Sequence, residues 1–249
     1  MLLDGKVALV SGTGPNIGSE VARTLAANGA VIACMDVNEE YAQATATSIH
    51  EAGGKAISVV ANITKPESIE RAMRVILEAY GGVHLLVNNA AISDHKPFLE
   101  ADLSEWQKVL NVILTGTFIV SQQVARQMVL QSDGGAIVNI ISTSGHRGET
   151  SRIAYGTAKS GLLNFTRSIA MQLAPHKIRV NSVSPTTTGT PVGRPDSPRD
   201  DNNPPGGVPL SRWGRTTDQA QAVLFLLSPN ADFITGVDLP CDGGRMARF

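Results

Sequence analysis

The sequence predicts an α/β protein with one doubly wound parallel sheet of about seven strands and helices on both faces. Three observations predict this fold class. Seven short runs rich in Val and Ile are apolar on both faces, segments of helical period alternate with them, and the connections between the two are short. Short runs of this kind are typical of strands that are buried in a parallel sheet.

The elements follow one another along the whole chain. The runs that predict strands are residues 7–10, 30–35, 56–60, 85–87, 136–141, 178–183 and 237–239. The segments that predict helices are residues 17–27, 39–52, 66–79, 104–130, 153–173 and 217–227. Pro66 suits the first turn of its helix, where a missing backbone N–H costs little. Because the alternation continues to the end, we assign residues 1–249 to a single domain.

One segment breaks the alternation. Residues 185–214 contain seven of the 13 prolines and no helical or strand period. A structureless stretch of this length inside a compact domain is typically a functional lid or a disordered segment. The α/β pattern resumes beyond it. We therefore expect a mobile substrate flap at about residues 186–214 rather than a boundary between two domains.

Composition and charge exclude several classes of function. Lys and Arg total 21 against 22 Asp and Glu, and only 4% of the 249 residues are aromatic, which disfavours a nucleic-acid partner. Cys34 and Cys241 are too few for a disulfide framework and fit a reducing compartment, although one bridge between them stays open. No apolar run reaches the roughly 18 residues of a membrane span, and the start lacks the features of a signal peptide. We expect a cytoplasmic protein without a membrane partner.

A glycine-rich turn follows the first predicted strand. Residues 11–18 read Ser-Gly-Thr-Gly-Pro-Asn-Ile-Gly and lead into a helix. Glycines at such a turn let the backbone approach a pyrophosphate, which the helix N-terminus stabilises, although the motif alone also fits a structural turn. Asp36 ends the second predicted strand, where a carboxylate would bind the adenosine ribose hydroxyls and repel a 2′-phosphate. No basic residue follows at Val37 or Asn38, so NAD is preferred to NADP.

A tyrosine and a lysine share one face of the helix predicted at residues 153–173. Tyr155 and Lys159 are separated by four positions, a spacing that also occurs by chance on many helices. Lowering a phenol pKa from about 10 to about 7 takes roughly 4 kcal/mol, which one cation at about 4 Å supplies at an effective dielectric near 20. Ser142 ends the fifth predicted strand, at the sheet edge where ligands bind, and can orient a substrate oxygen.

Together these residues resemble the short-chain dehydrogenase/reductase family over essentially the whole chain. The matching features occur in the family's order and are the glycine turn, Asn88-Asn89-Ala90, Asn111, Ser142, Tyr155 with Lys159, Pro185 with Thr190, and Asp242-Gly243-Gly244. The resemblance implies a Rossmann-type fold, an alcohol or ketone substrate, NAD(P) as cofactor and a homotetramer or homodimer.

The resemblance also implies roles for single residues. Tyr155 would be the general acid/base, Lys159 would lower its pKa and hold the nicotinamide ribose, and Ser142 would position the substrate oxygen. Asn111 would hold a water in a proton relay that reaches Lys159. No metal is needed because hydride passes directly between cofactor and substrate, and the five histidines show no metal-ligand spacing.

The residues expected to bind the cofactor and the substrate lie mainly in the loops that follow the strands. The cofactor residues are Gly12, Asn16, Ile17, Gly18, Asp36, Asn62, Ile63, Asn89, Tyr155, Lys159, Pro185, Thr188 and Thr190. The substrate candidates are Ser144, His146 and Arg152, in a loop that the resemblance places beside the substrate. A solvated loop is the alternative for these three residues.

Four positions depart from the family's pattern. Asn16, Ala91 and Thr186 stand where the family has glycine, and Asn62 stands where it has aspartate. Asn is, after Gly, the residue most tolerant of left-handed backbone, so we expect the turn at Asn16 to survive. Ala91 and Thr186 are expected to narrow the space near the nicotinamide and the substrate.

The sequence therefore predicts an NAD-dependent oxidoreductase that interconverts a secondary alcohol and a ketone. Two alternatives stay open. One is an NADP-dependent carbonyl or 3-oxoacyl reductase, and the other is a non-catalytic regulatory protein that binds a dinucleotide. The complete catalytic set favours an enzyme, because a protein without turnover has no physical need for it. The substrate alcohol is not determined by these motifs.

Overall fold

The computed structural model describes residues 1–189 and 206–247. Seven strands form one sheet in the order β3-β2-β1-β4-β5-β6-β7, and every neighbouring pair is parallel. The strands are β1 (Val7–Ser11), β2 (Val31–Asp36), β3 (Lys55–Val60), β4 (Leu85–Asn88), β5 (Gly135–Ile140), β6 (Ile178–Pro185) and β7 (Asp238–Cys241). The predicted doubly wound sheet is confirmed. Its strand order reverses between β1 and β4, which is where such sheets bind ligands.

Helices cover both faces of the sheet. They are α1 (Ile17–Ala27), α2 (Glu39–Glu51), α3 (Pro66–Tyr80), α4 (Leu103–Leu110), α5 (Gly116–Gln131), α6 (Ile153–Leu173) and α7 (Thr216–Leu227). Successive side chains of a strand point to opposite faces of the sheet, so the core has two parts, one on each face. In β1, Ala8 and Val10 pack with α1 and α7, whereas Val7 and Leu9 pack with α3 and α5. All four side chains are buried, which explains why this strand is apolar on both of its faces.

The helix predicted over residues 104–130 is not continuous. A π-helical turn at Asn111–Thr115 separates α4 from α5. The wider turn rotates the helix, so that Ile113 is fully buried while Asn111 is exposed. Immediately after it, Gly116 packs against Ile63, and a Cβ there would lie 2.7 Å from the Cδ1 atom of Ile63. The π-helical turn changes which residues of the helix face the sheet. The apolar period of the sequence does not predict this change.

The two described ends of the predicted flap meet beside β6. Thr188 and Gly214 form an isolated parallel bridge, and the Gly189 N–H donates to the Gly214 carbonyl at 3.2 Å. Thr190 and most of the predicted flap lie outside the described residues, so the flap stays a prediction. In the described ranges no helix combines the length and apolar character needed to cross a membrane. Cys34 and Cys241 are both free thiols, and burial raises the pKa of Cys34 to about 12.

Candidate active site

The glycine turn after β1 forms a cradle that has no room for side chains. Gly12 has a φ of 72°, and a Cβ on it would lie 2.6 Å from the Cα atom of Ala90. A Cβ on Gly18 would overlap the carbonyl oxygen of Gly12. α1 begins at Ile17, so its free N–H groups lie beside this bare backbone. The cradle fits a dinucleotide pyrophosphate, because it combines close backbone approach with a helix N-terminus.

Asn89 stabilises the cradle from the neighbouring strand end. Its Nδ2 atom donates to the carbonyl oxygen of Gly12 at 2.7 Å, and its backbone N–H donates to the Ser11 hydroxyl at 3.1 Å. Nδ2 would also lie 2.5 Å from a Cβ on Gly18. The β1 and β4 ends are therefore joined by side-chain hydrogen bonds at the point where the strand order reverses.

The backbone at Asn16 has a positive φ, and the turn expected there is formed. Its φ of 156° and ψ of −136° lie in a region that is typical of glycine. Ser19 stabilises the unusual residue from the first turn of α1. The Asn16 N–H donates to the Ser19 hydroxyl at 3.3 Å, and that hydroxyl donates to the Asn16 carbonyl at 3.0 Å.

The Asp36 carboxylate lies beside the cradle at the end of β2. It accepts hydrogen bonds from the backbone N–H groups of Gly14 at 3.1 Å and Asn38 at 3.0 Å. Asn62 serves mainly to shape the connection after β3, since its Oδ1 atom accepts from the N–H of Thr64 at 2.9 Å and from the Thr64 hydroxyl at 2.8 Å. Asp36 is thus the carboxylate available to a ribose at this edge of the sheet.

Lys159 and Tyr155 project from α6 towards the end of β5. The Lys159 Nζ atom donates to the carbonyl oxygen of Ile140 at 2.5 Å and lies 5.6 Å from the centroid of the Tyr155 ring. Lys159 is only 2% exposed, and this burial lowers its pKa to about 7. A lysine with such a pKa exchanges its proton near neutral pH.

Burial raises the pKa of Tyr155, while interactions with the Ser142 hydroxyl and the Arg152 charge act in the opposite direction. The net direction is opposite to the lowered pKa expected for Tyr155, because desolvation disfavours the phenolate when the ring is buried, and the lowering expected from Lys159 stays a prediction. Ser142 is placed by the turn after β5, where its Oγ atom accepts from the N–H of Ser144 at 3.1 Å.

Asp94 positions the start of the catalytic helix, a role that the sequence did not suggest. Its carboxylate accepts from the backbone N–H groups of Ala154 and Tyr155, both at 2.9 Å, and it is only 4% exposed. The N-cap residue of α6 is Arg152, which makes no side-chain cap. A carboxylate from the loop after β4 therefore satisfies the free N–H groups of this helix and complements its dipole.

A buried chain of polar side chains ties the same helix to the sheet. Asn88 Nδ2 donates to the Ser121 hydroxyl and to Asn139 Oδ1, both at 2.8 Å. Asn139 Nδ2 donates in turn to the Thr166 hydroxyl at 2.9 Å. Because these groups are buried, losing one partner would leave another unsatisfied. The network links β4, β5, α5 and α6 behind the site.

Two of the predicted catalytic and substrate residues do not line the cleft. Asn111 is exposed, and the buried residue near Tyr155 is Ile113, which packs in one apolar cluster with Tyr155. The structure therefore does not bring the expected relay side chain to the site, because the π-helical turn directs it outwards. His146 holds the loop between β5 and α6 to the sheet, with its Nε2 atom 2.9 Å from Asp238 Oδ2 and 3.0 Å from the Ser184 hydroxyl.

A cleft of about 490 Å³ connects the cradle to the catalytic residues. The predicted residues that line it are Asn16, Ile17, Asn89, Ser142, Ser144, Arg152, Tyr155, Lys159, Pro185 and Thr188. Ala91 and Thr186, two of the departures from the family's pattern, line it as well. His95 and Arg245 line the cleft too, and no sequence signal pointed to either of them except the glycine pair before Arg245. Over residues 1–189 and 206–247, no group of three or more metal-ligating side chains is arranged to hold an ion.

The bare cradle and the buried tyrosine and lysine beside it define an oxidoreductase that uses a nicotinamide dinucleotide. The profile of the family described as enoyl-(acyl carrier protein) reductase matches residues 12–245. A 3-oxoacyl-(acyl-carrier-protein) reductase of Aquifex aeolicus is 39% identical over 243 residues, covering 97% of this chain and 98% of the relative. A sorbitol dehydrogenase of Cereibacter sphaeroides is 34% identical over 256 residues, covering 98% and 99%.

A solved structure agrees with these sequence relatives. The crystal structure of a short-chain type dehydrogenase/reductase from Mycobacterium marinum superposes with a TM-score of 0.93 at 33% identity, covering 99% of this chain and 97% of the other. The chain belongs to the short-chain dehydrogenase/reductase family, and it is an oxidoreductase of that family. The predicted family and enzyme class are confirmed.

Proposed function

We propose that the protein is an NAD-dependent oxidoreductase that interconverts a secondary alcohol and a ketone. The observation that carries the proposal is the position of Tyr155, which lies in the cleft beside the Ser142 hydroxyl and next to the glycine cradle. The cradle and the α1 N-terminus would hold the pyrophosphate, and Asp36 would bind the adenosine ribose. A nicotinamide dinucleotide supplies the acceptor for the hydride of the carbinol carbon.

The proton of the reaction passes through Tyr155. In oxidation the Tyr155 phenolate removes the hydroxyl proton while the Ser142 hydroxyl orients the substrate oxygen. In reduction the Tyr155 phenol donates the proton to the carbonyl oxygen. Lys159, with its pKa lowered to about 7, can exchange a proton at neutral pH. Oxidation removes one proton and one hydride from the alcohol, so two electrons leave with the hydride and the product is the ketone.

The Tyr155→Phe substitution tests this mechanism. We expect it to lower kcat by at least about 100-fold, the scale of general acid–base catalysis, because the phenolic proton is lost. Dinucleotide affinity, measured by calorimetry, should stay within about threefold, since Tyr155 is not part of the cradle. Tyr80→Phe, at the end of α3, is the matched control. Near-normal turnover in Tyr155→Phe would refute the mechanism.

The pH dependence of the two directions gives an independent check. Burial raises the pKa of Tyr155, so the phenolate fraction at neutral pH is small and grows as the pH rises. Alcohol oxidation should therefore accelerate towards alkaline pH, whereas ketone reduction should not. Initial rates measured from pH 6 to pH 10 in both directions would test this.

The preference for NAD is supported by the Asp36 carboxylate, which would repel a 2′-phosphate at the adenosine ribose. The 39% identity to a 3-oxoacyl-(acyl-carrier-protein) reductase favours a second candidate, an NADP-dependent carbonyl or 3-oxoacyl reductase. The ratio of kcat/KM values for the two dinucleotides separates the candidates. A value for NADP equal to or above that for NAD would contradict the role given to Asp36.

We also propose that the protein assembles as a homotetramer or a homodimer through α5 and α6. Phe118 and Phe165 pack edge to face at 6.4 Å and line an apolar groove of about 540 Å³ between these helices. Phe118 remains 47% exposed in the single chain, which supports a partner surface there. The sedimentation coefficients of the unmodified protein and of the Phe118→Glu variant would show whether the protein assembles and whether this surface carries the assembly. The cytoplasmic location stays a prediction.

A further inference from the structure

The part of the cleft next to Tyr155 carries an excess of positive charge. Three arginines, hereafter the arginine cluster, line it from two parts of the chain. Arg147 comes from the loop after β5, Arg152 precedes α6, and Arg245 belongs to the last described turn. Among the described residues that line the cleft, Glu149 is the only acid. The proposed proton and hydride transfer does not require these guanidinium groups.

Glu149 neutralises one member of the cluster. One of its carboxylate oxygens accepts from the Ser144 hydroxyl at 2.5 Å, and the other lies 3.3 Å from Arg152. Burial acts to raise the pKa of Glu149, but Ser144, Arg152 and Arg147 outweigh it and lower that pKa. Glu149 is therefore ionised at neutral pH. In the described part of the chain, no carboxylate lies within ion-pair distance of Arg147 or Arg245.

Arg245 is held in place by its neighbours and keeps an unused donor. The Asp242 carboxylate accepts from the N–H groups of Gly244 at 2.9 Å and Met246 at 2.7 Å, which folds the turn that carries Arg245. One guanidinium nitrogen donates to the Thr186 hydroxyl at 3.3 Å. The Nε atom is buried without a hydrogen-bond partner. Arg245 therefore lines the cleft with a guanidinium whose position is fixed by Thr186 and by the turn after β7.

The cluster lies on the side of the cleft where the substrate reacts. The Arg152 guanidinium carbon is 5.2 Å from the centroid of the Tyr155 ring. The site for a pyrophosphate is elsewhere, at the cradle and the N-terminus of α1 near Ile17. An anion bound by the cluster would therefore lie close to the reacting carbinol and apart from the pyrophosphate site.

We propose that the substrate is an anionic secondary alcohol, whose carboxylate or phosphate group is bound by Arg147 and Arg245. The proposal rests on the proposed function and names the substrate class of the same site. Guanidinium groups suit this role because their planar fork donates two parallel hydrogen bonds to an oxyanion. In the described part of the chain neither guanidinium has a carboxylate within ion-pair distance, so both can pair with such a group in the cleft.

Matched substrates provide the test. Initial rates of NAD reduction are compared for 3-hydroxybutanoate, its uncharged methyl ester and 3-hydroxybutyl phosphate, and for longer homologues of each. We expect kcat/KM for an anionic member to exceed that of the ester by at least about tenfold. The preference between carboxylate and phosphate identifies which oxyanion the cluster takes.

Substitutions in the cluster assign the effect. Arg245→Gln should lower kcat/KM for the preferred anion by about 10- to 100-fold and change that for the ester by less than about threefold. Arg245→Lys should recover part of the loss, because it keeps the charge without the fork. Arg74→Gln, on the exposed face of α3, is the control and should change neither.

The outcomes separate this proposal from the proposed function. An ester used as well as the anions, with turnover still lost in Tyr155→Phe, would overturn the anionic substrate and leave the mechanism intact. A fall in NAD affinity that matches the fall in kcat/KM in Arg245→Gln would also overturn it. If no panel member is turned over, calorimetry with NAD present decides: binding of an anion that Arg245→Gln abolishes supports the proposal, and absence of anion binding refutes it.

Discussion

The two halves of the cleft are built in different ways. The dinucleotide half (Gly12, Gly18, Asp36 and Asn89) is made of backbone in close contact, and its residues follow strands that lie side by side. The substrate half is made of long charged side chains from the arginine cluster, which two distant parts of the chain supply, the loop between β5 and α6 and the turn after β7. The first kind of site tolerates almost no added atom, whereas the second can be altered one side chain at a time. Such a difference is expected of a fold whose members share one cofactor but act on different substrates.

The largest effect on NAD binding is expected from one methyl group in the dinucleotide half. In Gly18→Ala the new Cβ would overlap the Gly12 carbonyl, and overpacking of this kind costs about 1–3 kcal/mol of folding free energy. Because the clash moves the cradle itself, NAD affinity should fall by at least about tenfold. Calorimetry and urea unfolding would measure both effects.

The control for Gly18→Ala lies in the other half of the cleft. Gly148 lies in the loop between β5 and α6, and a Cβ there meets no atom within 4 Å. Gly148→Ala should leave NAD affinity and stability close to those of the unmodified protein. An equal loss of NAD affinity in both variants would remove the distinction between the two halves.

An intermediate effect is expected where the two halves are joined. Asp94 fixes the N–H groups of Ala154 and Tyr155, so Asp94→Asn replaces one acceptor oxygen with an NH2 group that cannot accept. We expect a loss of about 1–3 kcal/mol in unfolding free energy and a fall in kcat, with KM for NAD unchanged. Asp102→Asn is the control, because its ion pair with Lys96 is exposed and contributes little. A fall confined to NAD affinity would place Asp94 functionally in the dinucleotide half.

The same contrast explains what the sequence could and could not predict. The sheet, α1, α6 and the cradle follow from local signals, because apolar period and glycine position act over a few residues. Arg245 and Asp94 reach the site through contacts with Thr186 and with the start of α6, about 60 positions away in each case. No local pattern encodes such contacts. Asn16 has the positive φ that its place in the glycine turn suggested, but residue type alone does not distinguish between the backbone regions with positive φ.

The smallest expected effect concerns Asn111, where the resemblance and the structure disagree. Because its side chain is exposed beyond the π-helical turn, Asn111→Ala should change kcat by less than about twofold. Ile113→Ala is the informative partner, since this fully buried residue packs with Tyr155 and its truncation should cost about 2–5 kcal/mol of stability. Both variants are measured by steady-state kinetics and urea unfolding. A tenfold fall in kcat for Asn111→Ala at unchanged stability would restore the water relay and show that the α4–α5 turn rearranges during turnover.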